Sequence, residues 1–97
     1  MPTHEELASF WNDWKQLTRD QKRQFQAARK KLVADLRTGK GFRTGLCIKR
    51  VQKVPGVYEM TWTPDGRATF EFGKEVLPGE QHIIWRRIGG HEILDQP

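Results

Sequence analysis

Along the first forty residues apolar positions recur every three or four, and after residue 45 the period shortens to two. Within 4–16, Leu7, Phe10, Trp11 and Trp14 line one side of a short helix. Thr18 opens the string "TRDQ", a capping-box pattern in which the hydroxyl accepts from the Gln21 amide while the Gln21 side chain reaches back. A second helix is therefore predicted over 19–37. Its positions Phe25, Ala28, Leu32, Val33 and Leu36 form one buried stripe, and Gly39 and Gly41 end it.

The remainder reads as a meander of strands near 45–51, 57–62, 67–72 and 82–88. Val54-Pro55-Gly56 suits a type II turn, with proline fixing one torsion and glycine supplying a positive one. Thr63-Pro64-Asp65-Gly66 is a tight-turn signal that makes a hairpin of the strands around it. Alternation puts Tyr58, Met60 and Trp62 on one side of that hairpin with Ala68, Phe70 and Phe72, and Glu59 and Thr61 on the other with Arg67, Thr69 and Glu71. The helices should cover the first side; ordinary solvation would account for the second. The expected fold is α+β, a helix pair packed on a four-stranded antiparallel sheet in a single domain, 1–97. The opening "MPTHEELAS" reads as helix or coil.

Composition narrows the function classes. Seventeen Lys and Arg against twelve Asp and Glu give a net charge of +5, which favours association with polyanions through phosphate contacts. Four Trp and five Phe supply the bulk for a compact core. One cysteine, Cys47, excludes an intrachain disulfide, and with three His it forms no metal-ligand cluster, so neither metal nor cofactor is expected. No apolar run approaches the length of about eighteen residues that a membrane span needs, and no leader pattern opens the chain, which gives a cytoplasmic reading.

Phosphate loops, nucleophile elbows, paired zinc ligands and dinucleotide turns are all absent from the sequence. What remains is a concentration of Arg, Glu and His on neighbouring strands, ending in "WRRIGGHEIL". Lys49, Arg50 and Lys53 read as a phosphate-binding edge or as edge-strand cations that discourage aggregation. Arg43, just before the meander, is a further cation that could touch RNA. The helix cations Lys22, Arg23, Arg29, Lys30 and Arg37 read as an RNA or ribosome contact, or as a solvated face. Arg86 and Arg87 alternate in parity, so at most one of them is expected on any one face.

Several strings, in order, resemble the RelE/ParE toxin superfamily. "FWNDWKQLTRDQKRQF" looks like its opening helix pair, "VPGVYEM" its Pro-Gly turn entering a central strand, "GRATFEF" its Arg-containing strand, and "RRIGGHEIL" its closing strand and tail. The resemblance covers most of residues 8–94. It implies a toxin paired with a cognate antitoxin, and for many members cleavage of messenger RNA, often in the ribosomal decoding site, by attack of the ribose 2′-hydroxyl on the adjacent phosphodiester. Such cleavage needs a base, cations for the phosphorane charge and an acid for the leaving oxygen. By this resemblance Arg67 stands where the family has its phosphate-stabilising arginine, and His91 near where some members place the acid. The base is left between Glu59 and Lys49, and the second arginine between Arg87 and Arg86, with Arg50, Lys53 and Arg43 as RNA contacts. Two departures stand out: the family usually opens with a β-strand, and the tail after His91 is short. A ParE-like branch that acts on DNA gyrase without cutting RNA fits the same strings, as does a plain basic nucleic-acid-binding domain.

Overall fold

A computed structural model describes residues 2–97. In chain order it comprises β1 (Thr3–Glu6), α1 (Ala8–Trp14), α2 (Arg19–Thr38), β2 (Lys49–Arg50), β3 (Val57–Thr61), β4 (Arg67–Gly73) and β5 (His82–Gly89), with 3-10 turns at Thr44–Leu46 and His91–Asp95. The strands form one sheet in the order β1-β5-β4-β3-β2.

The local signals act as their chemistry dictates. Thr18 Oγ1 accepts from the Gln21 amide at 3.1 Å and Gln21 Oε1 accepts from the Thr18 amide at 2.8 Å, so two otherwise unpaired donors at the start of α2 are satisfied. Gly39 takes φ +69° at its C-cap and Gly56 takes φ +83° in the turn before β3, conformations a Cβ would oppose. Gly66 answers a different demand. Its φ is ordinary, but a Cβ there would lie 2.6 Å from the Trp62 ring, so this glycine lets the indole lie against the hairpin turn.

Three expectations need correction. The sheet has five strands and is mixed, because Thr3–Glu6 is a strand that pairs in parallel with β5, Thr3 opposite His82 and Glu6 opposite Trp85. A four-residue edge strand needs only main-chain partners along one side, so its polar sequence carries no period-2 apolar signal. The His82 ring, 6% exposed, fixes this edge: its Nδ1 lies 2.7 Å from Thr3 Oγ1 and its Nε2 2.7 Å from Glu5 Oε1. Second, α1 is shorter than the 4–16 pattern because the chain leaves β1 only at Leu7. Third, the strand predicted over 45–51 shrinks to Lys49–Arg50, since Thr44–Leu46 forms a 3-10 turn that Cys47 closes at φ +49°.

The core lies between the helices and one face of the sheet. Phe25 and Leu32 from α2 and Phe10 from α1 meet Met60, Ala68, Phe70, Ile83, Trp85 and Ile88, all at 3% exposure or less. Most of the predicted α2 stripe and hairpin face lies here, with Ala28 and Trp62 also buried and Leu36 and Tyr58 packed against the cluster, whereas Val33 is only half-buried and Phe72, at the far end of β4, is exposed. Phe25 sits edge-on to Trp85 at 5.1 Å between ring centres, and Phe70 lies 5.3 Å from Trp85, geometries favourable to aromatic quadrupoles.

The opposite face is covered too. Val57, Glu59 and Thr69 are buried there, beneath the chain that follows β5. The chain turns back at Gly90, whose extended backbone leads into the 3-10 turn and whose amide donates to Glu92 Oε1 at 3.2 Å. Ile93, 3% exposed, then seats the 3-10 turn, and the tail runs on to a buried Pro97. The expectation of a solvated polar row is thus corrected; the row is roofed.

Candidate functional site

On the roofed face a row of four side chains crosses the sheet. Lys49 is paired with Glu59, Glu59 with Thr69, and Thr69 with Arg87, one from each of β2, β3, β4 and β5. Neighbouring strands lie about 4.8 Å apart, so the row spans a single band perpendicular to the chain direction. Glu59 is its centre. Its carboxylate, 6% exposed, has Lys49 Nζ and Arg67 Nε each 3.9 Å from Oε1. Lys49, Arg50, Lys53 and Glu59, with Leu94 and Asp95 of the tail, line a groove of about 370 Å³.

Arg67 reaches Glu59 but spends its outer nitrogen elsewhere. Nη1 donates to the carbonyls of Gly66 at 2.9 Å, Pro64 at 3.2 Å and Thr63 at 3.4 Å, which ties the guanidinium to the β3–β4 turn. This arginine is thereby held rigid, 18% exposed, beside the candidate base.

Arg86 and Arg87 do not obey parity. Phe70 is opposite Trp85 whereas Thr69 is opposite Arg87, so the register slips by one residue and Arg86 is the extra position of a bulge. Both guanidiniums therefore engage the roofed face. Arg86 Nη1 donates to Glu71 Oε2 at 2.5 Å and Nε to the Pro97 main-chain oxygen at 3.1 Å. Arg87 donates from Nε to Asp13 Oδ2 at 2.6 Å, from Nη2 to Asp13 Oδ1 at 3.1 Å and from Nη1 to the Gln96 carbonyl at 3.0 Å. The Asp13 hydrogen bonds raise the Arg87 pKa above its ordinary value, with desolvation opposing. The sequence-based limit of one arginine per face is overturned by the bulge.

Two candidates lie away from this cluster. Arg43 is clamped on Asp35 at the end of α2, with Nη2 2.8 Å from Oδ1, and its side-chain and main-chain N–H donors hold the Asp35 carboxyl below the usual carboxylate range. His91 is exposed at the start of the 3-10 turn and lines neither the Lys49–Lys53 groove nor the neighbouring cleft, where Asp13, Asp65 and Glu92 surround Arg87. That cleft, of about 400 Å³, gathers carboxylates rather than the phosphate-attracting charge expected near His91.

Sequence reading missed Thr69, Asp13 and Glu71 as members of the site, and the tail as its cover. The apolar pair Ile93-Leu94 after two glycines was the available signal for the cover. Among the described residues no group of three or more His, Cys, Asp or Glu could hold a metal ion, and no helix is long and apolar enough to cross a membrane.

No family model matches this sequence, and no curated protein does. Solved structures do. A YoeB/ParE toxin from Agrobacterium tumefaciens superposes with a TM-score of 0.67 over 92% of this chain and 98% of its own, at 14% identity. The E. coli DinJ-YafQ complex gives 0.66 over 97% of this chain and 98% of that one, also at 14% identity. A copper-bound mutant toxin from Helicobacter pylori gives 0.65 over 95% and 97%, at 18% identity. With two helices laid on a mixed five-stranded sheet and agreement along nearly the whole of each neighbour, the chain has the fold of the RelE/ParE toxins.

Proposed function

We propose that this chain is the toxin of a type II toxin–antitoxin pair and that its activity is endoribonucleolytic, directed at messenger RNA. The observation that carries the reading is the row Lys49, Glu59, Thr69 and Arg87 on one sheet face, with Arg67 fixed beside it. The fold supports it: the E. coli neighbours include a DinJ-YafQ toxin-antitoxin complex. A cognate antitoxin is accordingly the expected protein partner.

In this mechanism Glu59, between Lys49 and Arg67, takes the proton of the ribose 2′-hydroxyl as the oxygen attacks phosphorus. Arg67 and Arg87 lend their N–H donors to the non-bridging oxygens as charge builds there. Rigid placement matters, because a donor already held in position spends little reorganisation during the reaction. Lys49 remains the alternative base, and His91 the candidate acid for the 5′-oxygen. Arg50 and Lys53 extend the cationic edge along the groove for the RNA backbone.

One observation favours a different reading, a ParE-like toxin that inhibits gyrase without cutting RNA. His91 lies outside the groove, and the Arg67 outer nitrogen is committed to turn carbonyls. The test is expression without antitoxin in a bacterial host, followed by primer extension on messenger RNA with and without ribosomes. Growth arrest with RNA cuts is expected, and Arg67→Ala should slow cleavage by about 10²–10³-fold. Loss of the acid in His91→Ala should cost about 10²–10⁴-fold. Growth arrest that survives both substitutions while gyrase supercoiling activity falls replaces the nuclease with the gyrase reading.

A further inference from the structure

The two outer strands of the sheet offer different things to another strand. In β1 the Thr3 amide donates to the Gln81 carbonyl and the Leu7 amide to the Trp85 carbonyl, each at 2.9 Å, so the main chain of the alternate residues Thr3, Glu5 and Leu7 faces β5. The amides and carbonyls of His4 and Glu6 therefore point out of the sheet, where β1 has no neighbouring strand. The opposite rim is β2, whose Lys49 and Arg50, followed by Lys53, carry like charges, so two copies meeting there would repel. On β1 the two outward positions carry groups that attract. His4 and Glu6 contact each other through Nδ1 and Oε2. Their side chains share the helix face of the strand and line a groove of about 210 Å³ with Phe10, Trp11, Trp14 and Arg29. Trp11 is 46% exposed there.

We propose that β1 is the interface of a homodimer in which two copies join antiparallel, edge to edge, about a twofold axis at Glu5. Charge and register select both the occupant and the axis. An axis at His4 would set Glu6 opposite Pro2 of the second copy, which has no N–H to donate. An axis at Glu6 would set Glu6 against Glu6, like charges directly opposite. With the axis at Glu5, His4 of each copy faces Glu6 of the other, and both are hydrogen-bonded pairs that exchange two main-chain bonds and bring unlike charges together. The opposing feature is Glu5 facing Glu5 on the other side of the sheet, where each carboxylate is held by His82 Nε2 at 2.7 Å. A contact of this kind uses the same patch on both copies and closes on itself, so it gives dimers and no longer assembly. The Trp11 grooves of the two copies lie along the seam, where exposed aromatic surface supplies the apolar burial. The dimer is independent of the nuclease reading.

The test is sedimentation equilibrium of the full chain from micromolar to millimolar concentration, with amide hydrogen exchange followed by NMR over the same range. A reversible monomer–dimer equilibrium is expected, in which exchange at His4 and Glu6 slows as concentration rises while exchange at Thr3 stays the same. His4→Pro removes the outward N–H and leaves the bonds to β5 intact; with one hydrogen bond lost from each copy, the dissociation constant should rise about thirtyfold. Glu6→Lys sets Lys against His4 and should raise it about tenfold, and adding His4→Glu to that variant should restore the parent affinity. A chain that is monomeric throughout, or a dimer indifferent to both single substitutions, overturns the proposal. So does protection of the His4 and Glu6 amides that appears only when an alternating Thr-Val pentapeptide is added, which makes this rim a docking strand for another partner. Circular dichroism of the variants at monomer dilution separates lost pairing from lost fold, and the concentration dependence of exchange in the parent chain needs no variant at all.

Discussion

The two faces of the sheet are buried to a similar degree by different physics. Under the helices, Phe70, Met60 and Trp85 are covered by the rings and branched chains of α1 and α2, an arrangement whose stability scales with apolar area. Under the tail, Thr69 and Glu59 are covered by main-chain oxygens and paired charges: Lys49 and Arg67 with Glu59, Arg86 with Glu71, Arg87 with Asp13, Lys53 with Asp95. Ion pairs and hydrogen bonds contribute little net stability because water offers nearly equivalent partners. The apolar face therefore carries the larger share of the stability and the polar face the smaller.

Substitutions on the two faces should separate accordingly. Phe70→Ala removes a fully buried ring between Tyr58 and Trp85 and should cost about 3–5 kcal/mol, enough to leave a domain of this size largely unfolded in thermal denaturation. Native-like melting of this variant would erase the contrast between the faces. Asp13→Ala, which takes away both Arg87 contacts and the acceptor of the Ile88 amide, should cost about 1.5–3 kcal/mol, since these hydrogen bonds go to a charged group. The circular dichroism melt should shift but stay cooperative. Thr69→Val, next door to Phe70 but facing the tail, should cost only about 1 kcal/mol in the same melt; a loss as large as that of Phe70→Ala would mean that the tail is part of the core.

The smallest expected effect lies on neither face. Because Arg43 lowers the Asp35 pKa in the folded chain, the pair stabilises above the ordinary carboxylate value of 3.8, and that contribution is lost as pH falls through the lower folded value. Asp35→Asn should remove this small contribution at pH 7, small because the pair is exposed and screened, and by the same amount flatten the fall of stability below about pH 4, so that urea midpoints of the variant and the parent chain converge in acid.

The helix face was legible in the sequence because apolar periodicity reports burial against another apolar surface. Phe25, Leu32, Met60 and Phe70 could be placed from spacing alone, and the Thr18 cap and the Thr63–Gly66 turn from their residue types. The tail face was not, for two physical reasons. A bulge shifts parity without a composition cue, so Arg86 and Arg87 were assigned to opposite sides. Apart from Ile93 and Leu94, the partners that Thr69, Arg86 and Arg87 find in the tail are main-chain oxygens, which are the same in every residue. Glu59 and Arg67 were found on one face because hairpin alternation placed them; Lys49, offered as a base by resemblance, proves to be the cross-strand partner of Glu59, and His91 and Arg43 lie away from this row.

The parallel edge has a consequence in time rather than in space. Thr3 and His82 are 79 positions apart, yet β1 has no other strand to pair with. During synthesis the first strand must wait, solvated, until His82 has left the ribosome, and closing so long a loop is a slow route to a native contact. The row that crosses the sheet is likewise incomplete until Arg87 of β5 has emerged to pair with Thr69.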